Sequence, residues 1–295
     1  MALIGTAYCY LNVKLMARTA QRLGKTQDQE HYAEIASKIC DGFNQRLFDR
    51  STAQYDSGTQ TSYVLPQAFG MVAEEFRSRV IQNLIDDIMV KHRGATSVGL
   101  IGMQWLMDVL TEIGHTDVAL TIATRTRRPS WGYMIAKGAT TVWERYDTDK
   151  RDPGMNSEAL LVQIGGLNTW FYKGLAGIHY DPEYPGYKNI IMRPRMVNGL
   201  MSAKAWVGTS VGKVSSNWLI EDEQFSWELV VPPNATATVY MPTQDANRVT
   251  EGGAPIVNSK NVTFLRIEGK SAVYRVSSGT YKFASSMLQE VDGTS

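Results

Sequence analysis

The spacing of apolar residues changes period along the chain. In the first part they recur at helical intervals. Ala7, Leu11 and Leu15 are continued by the run from Ala17 to Leu23, and Gly24 supplies a stop. A second helix is predicted over about 27–47, with Tyr32, Ile35, Ala36, Ile39, Cys40 and Phe43 on one face. The pair reads as a helical hairpin. Further helices are predicted near 60–69, 74–91, 99–113, 116–124 and 158–176, with Gly, Pro and Asp in the connections. Beyond Tyr184-Pro185-Gly186-Tyr187 the period falls to two. The segments 214–220 and 225–231 flank Glu221-Asp222-Glu223 and predict a β-hairpin; 237–241, 262–267 and 271–276 continue the pattern. The expected organisation is therefore multidomain, α then β: helical hairpins in series over 1–184, an antiparallel β-sandwich over 185–288, and a tail over 289–295.

Composition narrows the function. A chain of 295 residues with 43% apolar and 20% charged residues can bury two cores. Thirty Lys and Arg oppose 29 Asp and Glu, a net charge of +1, so binding by phosphate neutralisation is not expected. Cys9 and Cys40 cannot form a disulfide framework and read as core thiols. No apolar run approaches the roughly 20 residues of a membrane span. Met1 to Met16 has no basic residue ahead of its apolar stretch and does not read as a signal peptide, so a cytoplasmic location is expected. His31, His92, His115 and His179 are scattered without metal-ligand spacing. There is no Walker-type loop. Neither a metal nor a cofactor is expected.

Candidate chemistry concentrates in Pro129 to Ser157. Trp131-Gly132-Tyr133 is followed by Gly138-Ala139-Thr140-Thr141-Val142-Trp143-Glu144-Arg145-Tyr146-Asp147, then Asp149-Lys150-Arg151-Asp152-Pro153-Gly154 and Met155-Asn156-Ser157. Indole faces stack on the apolar face of a pyranose, and carboxylates hold its hydroxyls or exchange protons with it. The residues alone leave a second reading open, in which the loop and its tryptophans are structural.

The segment Gly138 to Asp147 resembles the Gly-Ala-Thr-Thr-Ile-Trp-Glu-Arg-Trp-Asp signature of the bacterial α-L-rhamnosidases, glycoside hydrolase family 78. The resemblance extends through Gly58 to Tyr63, Ser97 to Gly102, Asp108-Val109-Leu110, Gly114 to Asp117 and Pro129 to Met134. In the β region it includes Pro185 to Lys188, Ile191 to Pro194 and Pro232 to Val239. It implies part of an (α/α)6 barrel, a helical toroid, followed by a β-sandwich. It also implies inverting hydrolysis of terminal α-L-rhamnose from rhamnose-containing glycosides, with Glu144 as general base. Trp131, Trp143, Arg145, Asp147 and Asn156 would bind the sugar, and Gly99 and Gly102 would border it.

Two departures follow from the same comparison. The family's general acid lies in an Asp-x-x-x-Arg-x-Glu-type motif that this sequence lacks, and six hairpins are implied where this chain has length for about three. After Met155-Asn156-Ser157, where the family continues Phe-Asn-His, this chain has Glu158, Ala159 and Leu160. Three rival readings are a non-catalytic carbohydrate-binding remnant, a glycosidase pairing Glu144 with Asp147, Asp152 or Glu158, and an assembly module. A partial toroid exposes its seam, so self-association is expected through Leu11, Leu15, Tyr63 and Leu65.

Overall fold

The computed structural model describes residues 2–146, 149 and 161–286. Its contacts divide the chain into two units, Met1–Leu167 and Asn168–Ser295.

The first unit is built from helices α1 (Ala2–Arg22), α2 (Thr26–Leu47), α3 (Gln60–Phe69), α4 (Glu74–Asp86), α5 (Leu100–Glu112), α6 (Thr116–Thr124) and α7 (Trp131–Ala136). Burial sorts them into two layers. Helix α3 buries seven of its ten residues and α5 buries seven of thirteen, so both are covered on most sides. By contrast α2 buries only Ala36 and Phe43, and α4 only Val80 and Leu84. Contacts agree with this: α1 packs on α2 and α3, α3 on α4 and α5, and α5 on α6. Helices α1, α3 and α5 thus adjoin in series, with α2, α4 and α6 each packed on the helix before it, which is how αα-hairpins succeed one another in a toroid.

Most of the predicted helices are present. The run 74–91 ends as a π-helical turn over Asp87–Lys91. The predicted 158–176 segment is helical as α8, Leu161–Trp170, and then π-helical over Phe171–Leu175. A two-stranded hairpin, β1 (Phe48–Asp49) with β2 (Gln54–Tyr55), interrupts the helical part. Of the expected seam residues, Leu15 is 47% exposed, as is Met16 beside it. Tyr63 and Leu65 lie instead in the core, because α3 is enclosed by three helices.

In the second unit the strands are β3 (Ile178–Tyr180), β4 (Asn189–Met192), β5 (Ser202–Thr209), β6 (Gly212–Glu221), β7 (Gln224–Val231), β8 (Thr236–Met241), β9 (Thr250–Glu251), β10 (Ala254–Pro255), β11 (Val262–Glu268), β12 (Ser271–Val276) and β13 (Gly279–Ser286). They form a six-stranded sheet, β10-β9-β13-β7-β6-β5, and a five-stranded sheet, β11-β12-β8-β4-β3. Strand pairing starts at Ile178, ahead of the texture change at Pro185. One pair is parallel, β4 with β8, Asn189 opposite Thr236. The β6–β7 hairpin turns at Asp222 and Glu223, both at positive φ (48° and 61°), which is the requirement of a two-residue primed turn.

The core between the sheets holds Trp218, Phe225, Trp227, Tyr274 and Phe283, none more than 1% exposed. Its two indoles are paired, while Ser285 Oγ on β13 is buried without a partner among the described residues. Trp218 Nε1 donates to Leu175 O (2.8 Å), Trp227 Nε1 to Ser216 Oγ (2.8 Å), and Ser216 Oγ to Ala176 O (2.6 Å). Among the described residues no helix is long and apolar enough to cross a membrane.

Candidate active site

The Trp-Glu-Arg loop is launched by α7. Ser130 caps that short helix, its Oγ accepting from Tyr133 N at 2.9 Å. Gly132 lies against the preceding chain: a Cβ there would meet Arg125 O at 2.5 Å. At the far end Gly138 takes a positive φ of 84°, and Ala139 N returns to Met134 O (3.0 Å). These local bonds turn the chain sharply out of the helix and into the loop.

Past the turn the loop alternates. Trp143 is buried, 7% exposed, while Glu144 and Arg145 point outward. Trp131 is also 7% exposed, and its buried Nε1 has no hydrogen-bond partner among the described residues. Two indoles thus seat this segment, and Glu144 and Arg145 are exposed beside them. Downstream, Tyr133 Oη donates to Asp149 Oδ2 (2.9 Å), tying the end of the loop back to α7. Burial pushes the Tyr146 hydroxyl up to about 12, so it stays a neutral donor or acceptor at physiological pH. Asp147, Asn156, Asp152, Glu158 and Leu160 lie outside the described residues.

The predicted glycines behave differently from each other. Gly102 is needed for packing, since a Cβ would come within 2.5 Å of Thr61 Oγ1, whereas nothing lies within 4 Å of one at Gly99. The loop leading to Gly99 is held by Gln60, which is fully buried. Its Oε1 accepts from Ser97 N (2.8 Å) and Thr96 Oγ1 (3.4 Å), and its Nε2 donates to Ala95 O (3.3 Å). One side chain therefore fastens the entry of α5 to the start of α3.

A cleft of about 580 Å³ opens elsewhere in the same unit. It is lined by the β1–β2 region (Thr52, Gln54, Gly58), by Tyr63, and by Asn83, Asp86, Asp87, Val90 and Lys91 at the end of α4. None of the sequence-predicted site residues is among them. Asp87 is buried, with Lys91 Nζ at 2.7 Å and His92 Nδ1 at 2.9 Å from its carboxylate. Among the described residues no cluster of three His, Cys, Asp or Glu side chains could hold a metal ion.

Comparison with known proteins places these features. Residues 1–175 match the bacterial alpha-L-rhamnosidase six-hairpin glycosidase domain, and residues 177–254 match the bacterial alpha-L-rhamnosidase C-terminal domain. An alpha-L-rhamnosidase of Streptomyces avermitilis is 34% identical over 286 residues, 95% of this chain and 26% of that protein. One from Formosa agariphila is 32% identical over 286 residues, 96% of this chain and 31% of its own. The crystal structure of the Streptomyces avermitilis enzyme complexed with L-rhamnose superposes with a TM-score of 0.86 at 33% identity, covering 96% of this chain and 26% of that one. The alpha-L-rhamnosidase structure from Dictyoglumus thermophilum gives a TM-score of 0.85 at 33% identity, covering 95% and 31%. The Aspergillus terreus enzyme, at 23% identity and a TM-score of 0.79, shares the fold. This chain spans between a quarter and a third of the length of these relatives. With a helical unit and a sandwich unit each matched in its own right, the chain belongs to the bacterial alpha-L-rhamnosidase family, from its six-hairpin glycosidase domain into its C-terminal domain.

Proposed function

We propose that this chain carries the general-base side of an inverting α-L-rhamnosidase site acting on rhamnose-containing glycosides. The observation that supports this is the outward-facing Glu144 on a loop seated by Trp131 and Trp143. Glu144 takes a proton from water as the water attacks the anomeric carbon. The glycosidic bond breaks on the opposite face, and the leaving oxygen departs as the anion or takes its proton from solvent water. An inverting pair places its carboxyl groups about 6.5–9.5 Å apart to admit that water. Arg145 holds the sugar, joined by Asp147 and Asn156; Trp131 and Trp143, expected as sugar platforms, are buried and support the loop instead.

The family's acid motif is absent from this sequence, so the leaving group's need for a proton decides the outcome. A positioned proton donor contributes about 10²–10⁴-fold. Weak turnover is expected on p-nitrophenyl α-L-rhamnoside, whose leaving group departs as an anion, and little on alkyl rhamnosides. Glu144→Gln removes the turnover while leaving the thermal melt unchanged. Turnover that survives Glu144→Gln refutes the assignment. Rhamnose binding without turnover in the parent chain identifies a binding remnant. We also propose self-association through the exposed Leu15 and Met16 of α1; light scattering of the Leu15→Lys/Met16→Lys double variant should then report a lower mass than the parent.

A further inference from the structure

The outer face of the six-stranded sheet carries a feature that hydrolysis at Glu144 does not use. Trp206 on the edge strand β5 is 59% exposed, although tryptophan is ordinarily among the better-buried side chains. The strand register places its neighbours. Trp206 stands opposite Ser215; two residues away on one side Lys213 stands opposite Gly208, and two residues away on the other Lys204 stands opposite Asn217. That second row continues as Asn217 opposite Glu228 and Glu228 opposite Lys282, and all four side chains are exposed.

The indole has two faces. Lys213 Nζ lies over the ring, 5.1 Å from its centroid, and comes from the row on one side. The opposite face looks toward the Lys204–Asn217–Glu228–Lys282 row. Rows two residues apart on one face of a strand are about 6.8 Å apart. A sugar ring stacked on the indole at van der Waals distance, about 4 Å, therefore sits above the polar row.

We propose that this face is a glycan-binding site, distinct from the catalytic reading, for an oligosaccharide bearing carboxylate groups. The indole takes the C–H face of a pyranose, Asn217 and Glu228 take its hydroxyls, and Lys204, Lys213 and Lys282 supply the charge for uronate groups. Lys204 and Lys213 flank Trp206, while Glu228 lies two strands away and Lys282 three, about 14 Å off along the row, so the face is cationic beside the indole and along its length; Glu221 stands three rows away at the far end. A dry protein contact fits poorly, because interface cores are depleted of charged side chains and this row presents three in four positions.

Affinity electrophoresis through gels containing polygalacturonate tests this, with neutral dextran and duplex DNA run alongside. Retardation is expected in polygalacturonate and not in dextran, and it should weaken with salt. Trp206→Ala is expected to raise the dissociation constant at least about five-fold, the scale of one lost aromatic contact, and Trp206→Phe to recover part of it. Lys204→Glu weakens it as well. The position is on an exposed strand face, and an unchanged far-UV spectrum and melt certify the fold of each variant. Equal retardation of parent and Trp206→Ala overturns the proposal, since charge alone then explains it. So does absence of retardation, stronger retardation by DNA, or a dimer that Trp206→Ala converts to monomer.

Discussion

Replacing Gly132 by alanine probes the scaffold beneath the Glu144 loop. The added methyl would lie 2.5 Å from Arg125 O and 3.1 Å from Thr126 Cα, both backbone atoms. Relief needs a shift approaching 1 Å. Arg125 cannot supply it cheaply, because its guanidinium is bonded to Arg93 O (2.7 Å) and to Arg127 O (3.1 Å). Overpacking of this kind costs about 1–3 kcal/mol, and an immovable backbone neighbour places it near the top of that range. Against it stands the gain from replacing a helical glycine, about 0.5–1 kcal/mol. Strain wins, leaving a net loss of about 1.5–2 kcal/mol, or about 3–8 °C in Tm for a unit of this size. Gly5→Ala is the matched control. Gly5 is on the exposed side of α1 and a Cβ there would meet nothing within 4 Å, so that variant should be stabilised by about 0.5–1 kcal/mol. Urea and thermal unfolding followed by far-UV and near-UV circular dichroism give both values. If the two variants shift in the same direction, the close approach at Gly132 is not what holds α7.

Gln60→Leu removes three hydrogen bonds from the loop that enters α5 and should cost about 1–3 kcal/mol in urea unfolding, with Gln60→Glu intermediate because it keeps the acceptor. At high pH the sandwich should lose stability through Tyr274. Burial, with the charge of Asp245 adding to it, pushes its hydroxyl up to about 12 from an ordinary 10.0. The folded state thus holds the proton more tightly than the unfolded chain, so this contribution is full below pH 10 and drains away as pH rises through about 12. The Tyr274→Phe variant should show a shallower alkaline decline in its urea midpoint.

Long helices were legible because a single apolar stripe repeats in them: α1, α4, α5 and α6 fall close to the ranges their spacing predicts. Helix α7 was not, since its six residues, Trp131–Ala136, are too few to show a period. Its existence depends on a side-chain cap and a close backbone approach. Strands β6 and β7 announce themselves by large alternating residues. Strand β5 sets Ala203, Ala205 and Val207 on its inner face against Lys204, Trp206 and Gly208 on the outer one, so the apolar alternation is blurred and the strand is visible only through its pairing with β6. Glu144 was reachable through the resemblance of its motif, but motif letters do not say which side chains turn inward. The cleft beside Asp86 and Asp87 gave no signal, because adjacent carboxylates in a helical run look like a solvated face. Only the β1–β2 hairpin folding beside the end of α4 makes a cleft of them.

The parallel pairing of β4 with β8 has a temporal meaning. Helical hairpins in the first unit join neighbours in sequence and can close as soon as both arms exist. Asn189 must instead wait for Thr236. At ribosomal elongation rates of about 5–20 residues per second, β4 stands without that partner for on the order of 2–10 s. During that interval β3 is its one strand neighbour, and Ile190 and Met192, fully buried in the finished sandwich, have no opposing sheet. The nascent chain is therefore most open to misassociation while β5, β6 and β7 are being made, and slower or colder synthesis lengthens that exposure.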